Sequence, residues 1–210
     1  MCNAGAMAFP PSISEDGYEI QFATNHLGHA RLIRLLLPTL LNTAKQPGSD
    51  VRIICLSSTA HRLTPKRGIE FDTLKTSQNN LGPVYQPSSL TRYGQSKLAN
   101  LLYAVELASR YPSITSVAAH PGYVKTEMVS GASLLDRMIV GMASGGNWTT
   151  VEEGPYNQTW AATTAKENLK NGAYYEPIGV EVRSSSAHVL DLALAKKLCE
   201  WTEQELAGSS

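Results

Sequence analysis

The sequence predicts an α/β fold in which helices alternate with the strands of a doubly wound parallel sheet. Two short runs rich in apolar and β-branched residues, 51–56 and 115–119, indicate buried strands. The segments around them are longer, and their apolar residues recur at helical spacings of three and four. Strands and helices that alternate in this way are typical of such a sheet.

Composition indicates one globular domain. At about 150 residues per domain, a chain of 210 residues that is 42% hydrophobic is large enough for one core. Equal numbers of basic and acidic residues, 18 each, favour no nucleic-acid partner. Three cysteines are too few for a disulfide framework. No apolar run is long enough for a membrane segment and no secretory signal is visible, which predicts a cytoplasmic location.

The first helix should begin near Ser12 and Glu15, whose spacing is that of a capping box. Its apolar period continues to about residue 42, and Pro38 should bend or end it. After the 51–56 strand, residues 62–91 are polar and interrupted by prolines and glycines. We therefore expect a long surface insert there.

The second half of the chain alternates the same two kinds of element. Helices are expected over 92–111, from a Thr150–Glu153 capping box to about residue 164, and over 190–206; strands are expected over 115–119 and 172–177. Residues 128–149 are apolar and glycine-rich without a clean helical period. They are predicted to form a mobile lid.

Tyr93 and Lys97 are the centre of the predicted chemistry. Four positions apart on a helix, their side chains share one face. A nearby cation favours the phenolate, so this spacing predicts that Lys97 lowers the pKa of Tyr93. Such a tyrosine could exchange a proton with a substrate oxygen. An isolated pair of this kind is also typical of an ordinary helix surface. The residues around the pair therefore decide between a functional and a surface role.

Three further features should lie near that pair. Ser57 and Ser58 follow the first strand directly, where side chains face the crevice in which open α/β sheets bind ligands. Pro121 and Gly122 follow the second strand in the same way. Asn25 lies in mid-helix, where asparagine is unfavourable and a buried amide needs a partner. Singly, each has a plainer explanation: turn-forming serines, a strand exit, or a satisfied core amide.

Together, the motifs resemble those of the short-chain dehydrogenase/reductase family. In chain order they are Asn3-Ala4-Gly5, Asn25 with Gly28, Ser57-Ser58, Tyr93-x-x-x-Lys97, and Pro121-Gly122 with Thr126. The wider segments 25–29, 93–100 and 152–154 resemble the retinol-dehydrogenase and WW-domain-oxidoreductase-like branch. The resemblance implies a Rossmann-like sheet and an NAD(P)-dependent oxidoreductase that interconverts an alcohol and a carbonyl on a small apolar substrate.

The resemblance also implies a role for each residue. Tyr93 would be the acid and base, and Lys97 would lower its pKa and bind the nicotinamide ribose. Ser58 would hold the substrate oxygen, and Asn25 would position a water that links Lys97 to solvent. The implied cofactor-binding residues are Asn3, Tyr93, Lys97, Pro121, Gly122, Val124 and Thr126. NADP is the expected cofactor, with NAD as the alternative, and a homodimer is compatible with the family.

One feature of the family is absent from the sequence. No strand followed by a glycine-rich turn and a helix, the unit that grips the dinucleotide pyrophosphate, occurs here. The resemblance therefore implies a single partial domain over 1–210 that lacks the first βαβ units, about 80 residues. Without those strands, one edge of the sheet would be left unpaired.

Other functions remain open at this stage. One is a truncated non-catalytic fragment or pseudoenzyme with a binding role. Another is epimerisation or dehydration with the same residues, which the short C-terminal region disfavours. His26 and His29 have a possible metal-ligand spacing. No carboxylate or cysteine lies near them in sequence, and we expect no metal.

Overall fold

The fold was analysed in a computed structural model, which describes residues 1–125, 132–183 and 186–208. Its strands are β1 (Arg52–Leu56), β2 (Thr115–Ala119), β3 (Tyr123–Val124), β4 (Trp148–Thr149), β5 (Tyr174–Glu176) and β6 (Val180–Glu181). The main sheet has the order β1-β2-β5-β6, parallel except for the antiparallel β5–β6 pair. β3 and β4 form a separate parallel pair.

Five longer helices surround the sheet. Helix α1 is continuous from a short α-helical turn (Ile20–Phe22) through a π-helical turn (Ala23–Leu27) into an α-helix (Gly28–Ala44). The others are α2 (Ser88–Arg110), α3 (Leu134–Ser144), α4 (Tyr156–Thr163) and α5 (Leu192–Ala207). Short 3₁₀ turns cover Thr59–Arg62, Phe71–Thr73, Lys166–Asn168 and Ala187–Leu190.

Side chains from both faces of the sheet are buried. In β1, Ile53 and Cys55 pack on the side of α1 and α2, whereas Ile54 and Leu56 pack on the side of α4. Successive strand residues point to opposite faces, so a strand covered on both faces needs an uninterrupted apolar run. This arrangement confirms the predicted α/β class with a parallel sheet.

The start of α1 differs from the prediction. Ser12 and Glu15 lie outside any helix, because Gly17 turns the chain with a φ of +84° and Ile13 pairs with Glu19. The helix begins at residue 20, where the Glu19 carboxylate accepts a hydrogen bond from the Phe22 amide (2.7 Å). Pro38 does not end the helix, since it lies on the exposed side where water can replace a lost backbone bond.

The predicted surface insert is partly a core element. Ile69 and Leu74 are buried and pack with α1, α2 and α5. The last four residues of the expected insert, 88–91, already belong to α2. The prediction was wrong here because two isolated apolar residues in a polar segment carry no period, although they fill a gap between helices.

The predicted lid also contains regular structure. Residues 126–131, where the lid was expected to begin, lie outside the described part of the chain. The rest is helix α3 followed by β4, with Ser133 capping the helix through the Asp136 amide (3.1 Å). Gly145 ends it with a φ of +55°.

The remaining elements lie close to their expected positions. Thr150 and Glu153 exchange the hydrogen bonds of a capping box (3.2 and 3.0 Å), but the box closes a turn before α4. At the outer edge of β1, the Cys2 amide donates to Ile54 (2.8 Å) and the Leu56 amide donates to Cys2 (3.2 Å). Within the described ranges, this isolated bridge pairs only the end of the edge that was expected to be unpaired.

Candidate active site

A cavity of about 570 Å³ opens at the carboxyl ends of β1 and β2. This is the edge at which parallel α/β sheets bind ligands. Of the predicted site residues, those that line the cavity are Asn3, Ser58, Tyr93, Lys97, Pro121, Gly122 and Val124. Asn25 lies behind this wall, and Thr126 lies outside the described residues.

Tyr93, Lys97 and Ser58 form a compact polar group in the cavity. The Lys97 Nζ lies 5.6 Å from the centroid of the Tyr93 ring, as their positions on one helix face predict. The Ser58 side chain lines the same cavity. Its Oγ accepts from the Ala60 amide (3.2 Å) at the start of a 3₁₀ turn, which fixes the serine after β1.

The pKa of Tyr93 differs from the sequence-based expectation. The surrounding protein removes solvent from the phenolate and raises the pKa of Tyr93 to about 12, although the neighbouring Ser58 side chain lowers it. Burial likewise lowers the pKa of Lys97 to about 8. Burial therefore dominates the pKa of Tyr93, and the opposing effect comes from Ser58 rather than from Lys97 as expected. At neutral pH Tyr93 is a proton donor and most of Lys97 is charged.

The end of β1 holds Lys97 in place. Its Nζ donates to the Leu56 carbonyl (3.2 Å), which also accepts from the Asn100 amide (2.9 Å). The Ser57 hydroxyl donates to the Lys97 carbonyl (2.8 Å). An ammonium group has three hydrogens, so two remain for groups in the cavity.

Asn25 joins the loop after Asn3 to helix α2. Its Oδ1 accepts from the Ala6 amide (2.7 Å), and its Nδ2 donates to the Ala6 carbonyl (2.9 Å) and to Ser96 Oγ (2.8 Å). The side-chain amide is thus bound at both ends. Its main-chain carbonyl, on the π-helical turn, accepts from His29 Nδ1 (2.9 Å). The expected role of Asn25 in positioning a water stays a prediction.

Three relatives of known class are similar to nearly the whole chain. A short-chain dehydrogenase/reductase from Aspergillus calidoustus is 30% identical over 97% of this chain and 66% of its own length. The chloroplastic short-chain dehydrogenase TIC 32 A from Brassica napus is 34% identical over 95% of this chain and 61% of its own length. An uncharacterised oxidoreductase from Schizosaccharomyces pombe is 36% identical over 96% of this chain and 59% of its own length. The chain belongs to the short-chain dehydrogenase/reductase family. It spans less than two thirds of the length of these relatives.

Solved structures show the same fold. A crystal structure of an uncharacterised protein from Mycobacterium paratuberculosis covers 98% of this chain and 65% of its own, with a TM-score of 0.68 and 28% identity. The alignment with the NADPH-bound carbonyl reductase from chicken fatty liver covers 87% of this chain and 64% of the reductase chain, with a TM-score of 0.55 and 23% identity. The latter similarity supports the fold alone. No family model matches the chain.

The nicotinamide end of a dinucleotide fits the residues of this short-chain dehydrogenase/reductase. A Cβ on Gly5 would stand 3.6 Å from Lys97 Nζ, so the glycine keeps the cavity open beside the ammonium. Gly122 has a φ of +94° and lets the chain turn along the cavity wall. In the described ranges, no glycine-rich turn joins a strand to a helix in a way that would grip a pyrophosphate.

Several important residues escaped the sequence analysis. Arg92, next to Tyr93, is fully buried and pairs with the equally buried Glu19 (3.0 Å). It also donates to the Phe9 carbonyl (2.9 Å). Charged residues usually lie on surfaces, and nothing in the spacing of these two marks them as partners. The apolar cavity wall includes Met7, Leu90, Ile139, Val140 and Trp148.

The described residues contain neither a metal-binding cluster nor a membrane-spanning helix. They contain no group of three or more histidine, cysteine, aspartate or glutamate side chains placed to hold a metal ion. Their helices include none that is both long enough and apolar enough to cross a membrane.

Proposed function

We propose that this chain is the catalytic part of an NAD(P)-dependent oxidoreductase that interconverts a carbonyl and an alcohol on a small apolar substrate. The observation that carries the proposal is the meeting of Tyr93, Ser58 and Lys97 in one cavity at the strand ends. Relatives named as short-chain dehydrogenases or oxidoreductases support the reaction class.

The chain's own residues handle the substrate oxygen and the proton. The hydroxyls of Ser58 and Tyr93 would hold the carbonyl oxygen, and Tyr93 would donate its proton as negative charge develops there. In the reverse direction the Tyr93 oxygen would take the proton back. The nearby Lys97 ammonium would stabilise the Tyr93 phenolate between the loss of its proton and the return of a proton.

The implied cofactor is NADP, with NAD as the alternative. When bound, it supplies or accepts the hydride. Lys97 and Tyr93 would contact its ribose, while Pro121, Gly122, Val124 and, by family resemblance, Thr126 would line the nicotinamide side. By the same resemblance, Asn3 would support the sheet near the adenosine half of the cofactor. A structurally similar gluconate 5-dehydrogenase from Burkholderia cenocepacia was crystallised with NADP, and the chicken carbonyl reductase with NADPH.

Apolar side chains favour an apolar substrate. Ile139 and Val140 of α3 line the cavity, as does Leu90 of α2. Aliphatic walls stabilise a ligand by burying its apolar surface, and polar groups of the lining, among them Ser58, Tyr93 and Lys97, would orient it. Such a cavity orients one oxygen of an otherwise apolar molecule.

Replacing Tyr93 with Phe tests the reaction. We expect Tyr93→Phe to lower turnover at least ~10²-fold, since it removes the proton donor, while nicotinamide fluorescence shows retained cofactor binding. Tyr85→Phe alters a highly exposed tyrosine and is the matched control. Near-normal turnover in Tyr93→Phe would contradict the assigned role.

A non-catalytic binding role is the second candidate. It is favoured by the lack, in the described part of the chain, of a pyrophosphate-binding turn. Titration of the 210-residue chain with NADPH and NADH separates the two proposals. Failure to bind either at millimolar concentration would exclude catalysis by this chain.

The location and assembly of the protein stay predictions. A cytoplasmic location is proposed from the sequence, although one relative is named as chloroplastic. A homodimer would cover Leu32, Leu35 and Leu36, which are exposed on α1. We propose no nucleic-acid partner, because the net charge is zero.

A further inference from the structure

Two hydroxyl groups are hydrogen-bonded to each other on the cavity wall that also holds Ser58. The Thr59 Oγ1 and the Tyr123 hydroxyl oxygen are 2.8 Å apart. Thr59 follows Ser58 directly and begins the 3₁₀ turn after β1, whereas Tyr123 is the first residue of β3. Both residues line the cavity and are half-buried, so a ligand can reach them. The bond therefore connects the segments that follow the two central strands.

The hydroxyl pair keeps one hydrogen that its own bond does not use. Two hydroxyl groups carry two hydrogens, and the bond between them takes one, whichever group donates. Among the described residues, neither Thr59 nor Tyr123 has a second side-chain hydrogen-bond partner. One O–H group is therefore free to donate to an acceptor atom in the cavity.

His120 packs against the ring of Tyr123. Their ring centroids are 5.4 Å apart at an interplanar angle of 84°, the edge-to-face arrangement that aromatic rings favour. His120 is buried, and neither of its ring nitrogens has a hydrogen-bond partner in the part of the chain that the structure describes. Buried polar atoms usually have such partners. This wall thus has more hydrogen-bonding groups than hydrogen bonds, unlike the aliphatic wall of Leu90, Ile139 and Val140.

We propose that Thr59 and Tyr123 form a second hydrogen-bonding subsite for the substrate. The inference rests on the proposed function, in which Ser58 and Tyr93 hold the reacting oxygen. The remaining O–H group of the pair donates to a second oxygen of the same molecule. Consecutive Cα atoms are about 3.8 Å apart, so Thr59 lies close to Ser58 and only a few bonds separate the two substrate oxygens. The substrate class is an otherwise apolar α-diketone or β-keto ester.

Binding without cofactor tests the subsite independently of turnover. The probes are phenylpropanedione, an α-diketone, and methyl benzoylacetate, a β-keto ester. Propiophenone is the reference, because it has a similar aromatic frame but a single carbonyl. We expect the wild-type chain to bind at least one probe with a Kd about tenfold lower than that of propiophenone, the effect of one additional hydrogen bond. NMR titration measures the three Kd values, and equal values would overturn the inference.

Removal of both hydroxyls assigns the preference to the pair. Thr59→Val or Tyr123→Phe alone leaves one O–H group, so only the double variant removes every donor of the pair. We expect Thr59→Val/Tyr123→Phe to lose the tenfold preference and each single variant to keep part of it. The control is Thr163→Val/Tyr85→Phe, which alters two exposed residues and should keep the full preference. A preference that persists in Thr59→Val/Tyr123→Phe would contradict the proposal.

The cofactor is the alternative ligand for the free O–H group. If Thr59→Val/Tyr123→Phe weakens the binding of reduced nicotinamide mononucleotide and leaves the preference among the ketones intact, the pair belongs to the cofactor site and the inference is wrong. A wild-type chain that shows the expected preference but reduces none of the three ketones with NADPH would support the subsite and count against the proposed function.

Discussion

At the scale of single residues, burial determines the protonation of Tyr93 and Lys97. Both Tyr93 and Lys97 lose solvation, which moves their pKa values toward the neutral forms. The sequence spacing correctly indicates that the two side chains are neighbours. It could not show which effect dominates, because the degree of burial depends on Leu56, Ser57 and the rest of the fold.

Lys97 should make the stability of the chain depend on pH. Its folded pKa of about 8 lies below its usual value of 10.5, so the folded state disfavours the charged form. The destabilisation is complete below pH 8 and fades as the pH rises toward 10. Lys97→Met should therefore raise the free energy of unfolding by on the order of 1–3 kcal/mol at pH 7 and by less at pH 10.

Urea unfolding at the two pH values measures this effect. The control is Lys196→Met, which alters an exposed lysine and should change stability little at either pH. If Lys97→Met destabilises the chain equally at pH 7 and pH 10, the buried charge is not the cause.

At the scale of elements, sequence patterns identify what is periodic or continuous. β1 and β2 are predictable because both of their faces are buried. The π-helical turn at Asn25 and the Glu19–Arg92 pair are not, since each depends on neighbours distant in sequence. The motif residues that meet in the cavity could be predicted from family resemblance, and the apolar character of 128–149 from its composition. Helix α3 within that segment could not, because its apolar residues show no clean helical period in the sequence.

The contact of α2 with the turn after β1 requires a glycine. A Cβ at Gly94 would stand 2.3 Å from the Leu63 carbonyl oxygen and 2.5 Å from that of Ala60. Gly94→Ala should therefore displace this turn and Ser58 with it, and destabilise the chain by about 1–3 kcal/mol in urea unfolding.

Gly141→Ala is the matched control for that substitution. Gly141 is also helical, but a Cβ there meets no atom within 4 Å. It should stabilise α3 by roughly 0.5–1 kcal/mol, because alanine has the higher helix propensity. Equal effects of the two substitutions would show that the close approach at Gly94 is unimportant.

At the scale of the whole molecule, the described residues provide a site for only one half of the proposed cofactor. The described residues form the cavity beside Tyr93 and Lys97, in which the nicotinamide is proposed to bind. They contain no helix N-terminus preceded by a glycine-rich turn of the kind that binds a pyrophosphate. Binding energy in this chain should therefore come from the nicotinamide end of the ligand.

Fragments of the cofactor should then act unequally on thermal stability. A ligand at 100 times its Kd stabilises the folded state by about 2.7 kcal/mol, which corresponds to a rise in Tm of roughly 5–11 °C for a chain of this size. We expect reduced nicotinamide mononucleotide and NADPH to raise Tm to a similar extent at equal millimolar concentration, and 2′,5′-ADP to leave it unchanged. Thermal unfolding followed by circular dichroism measures all three. A shift with 2′,5′-ADP would reveal an adenosine site on this chain, and the separation of the two halves would be wrong.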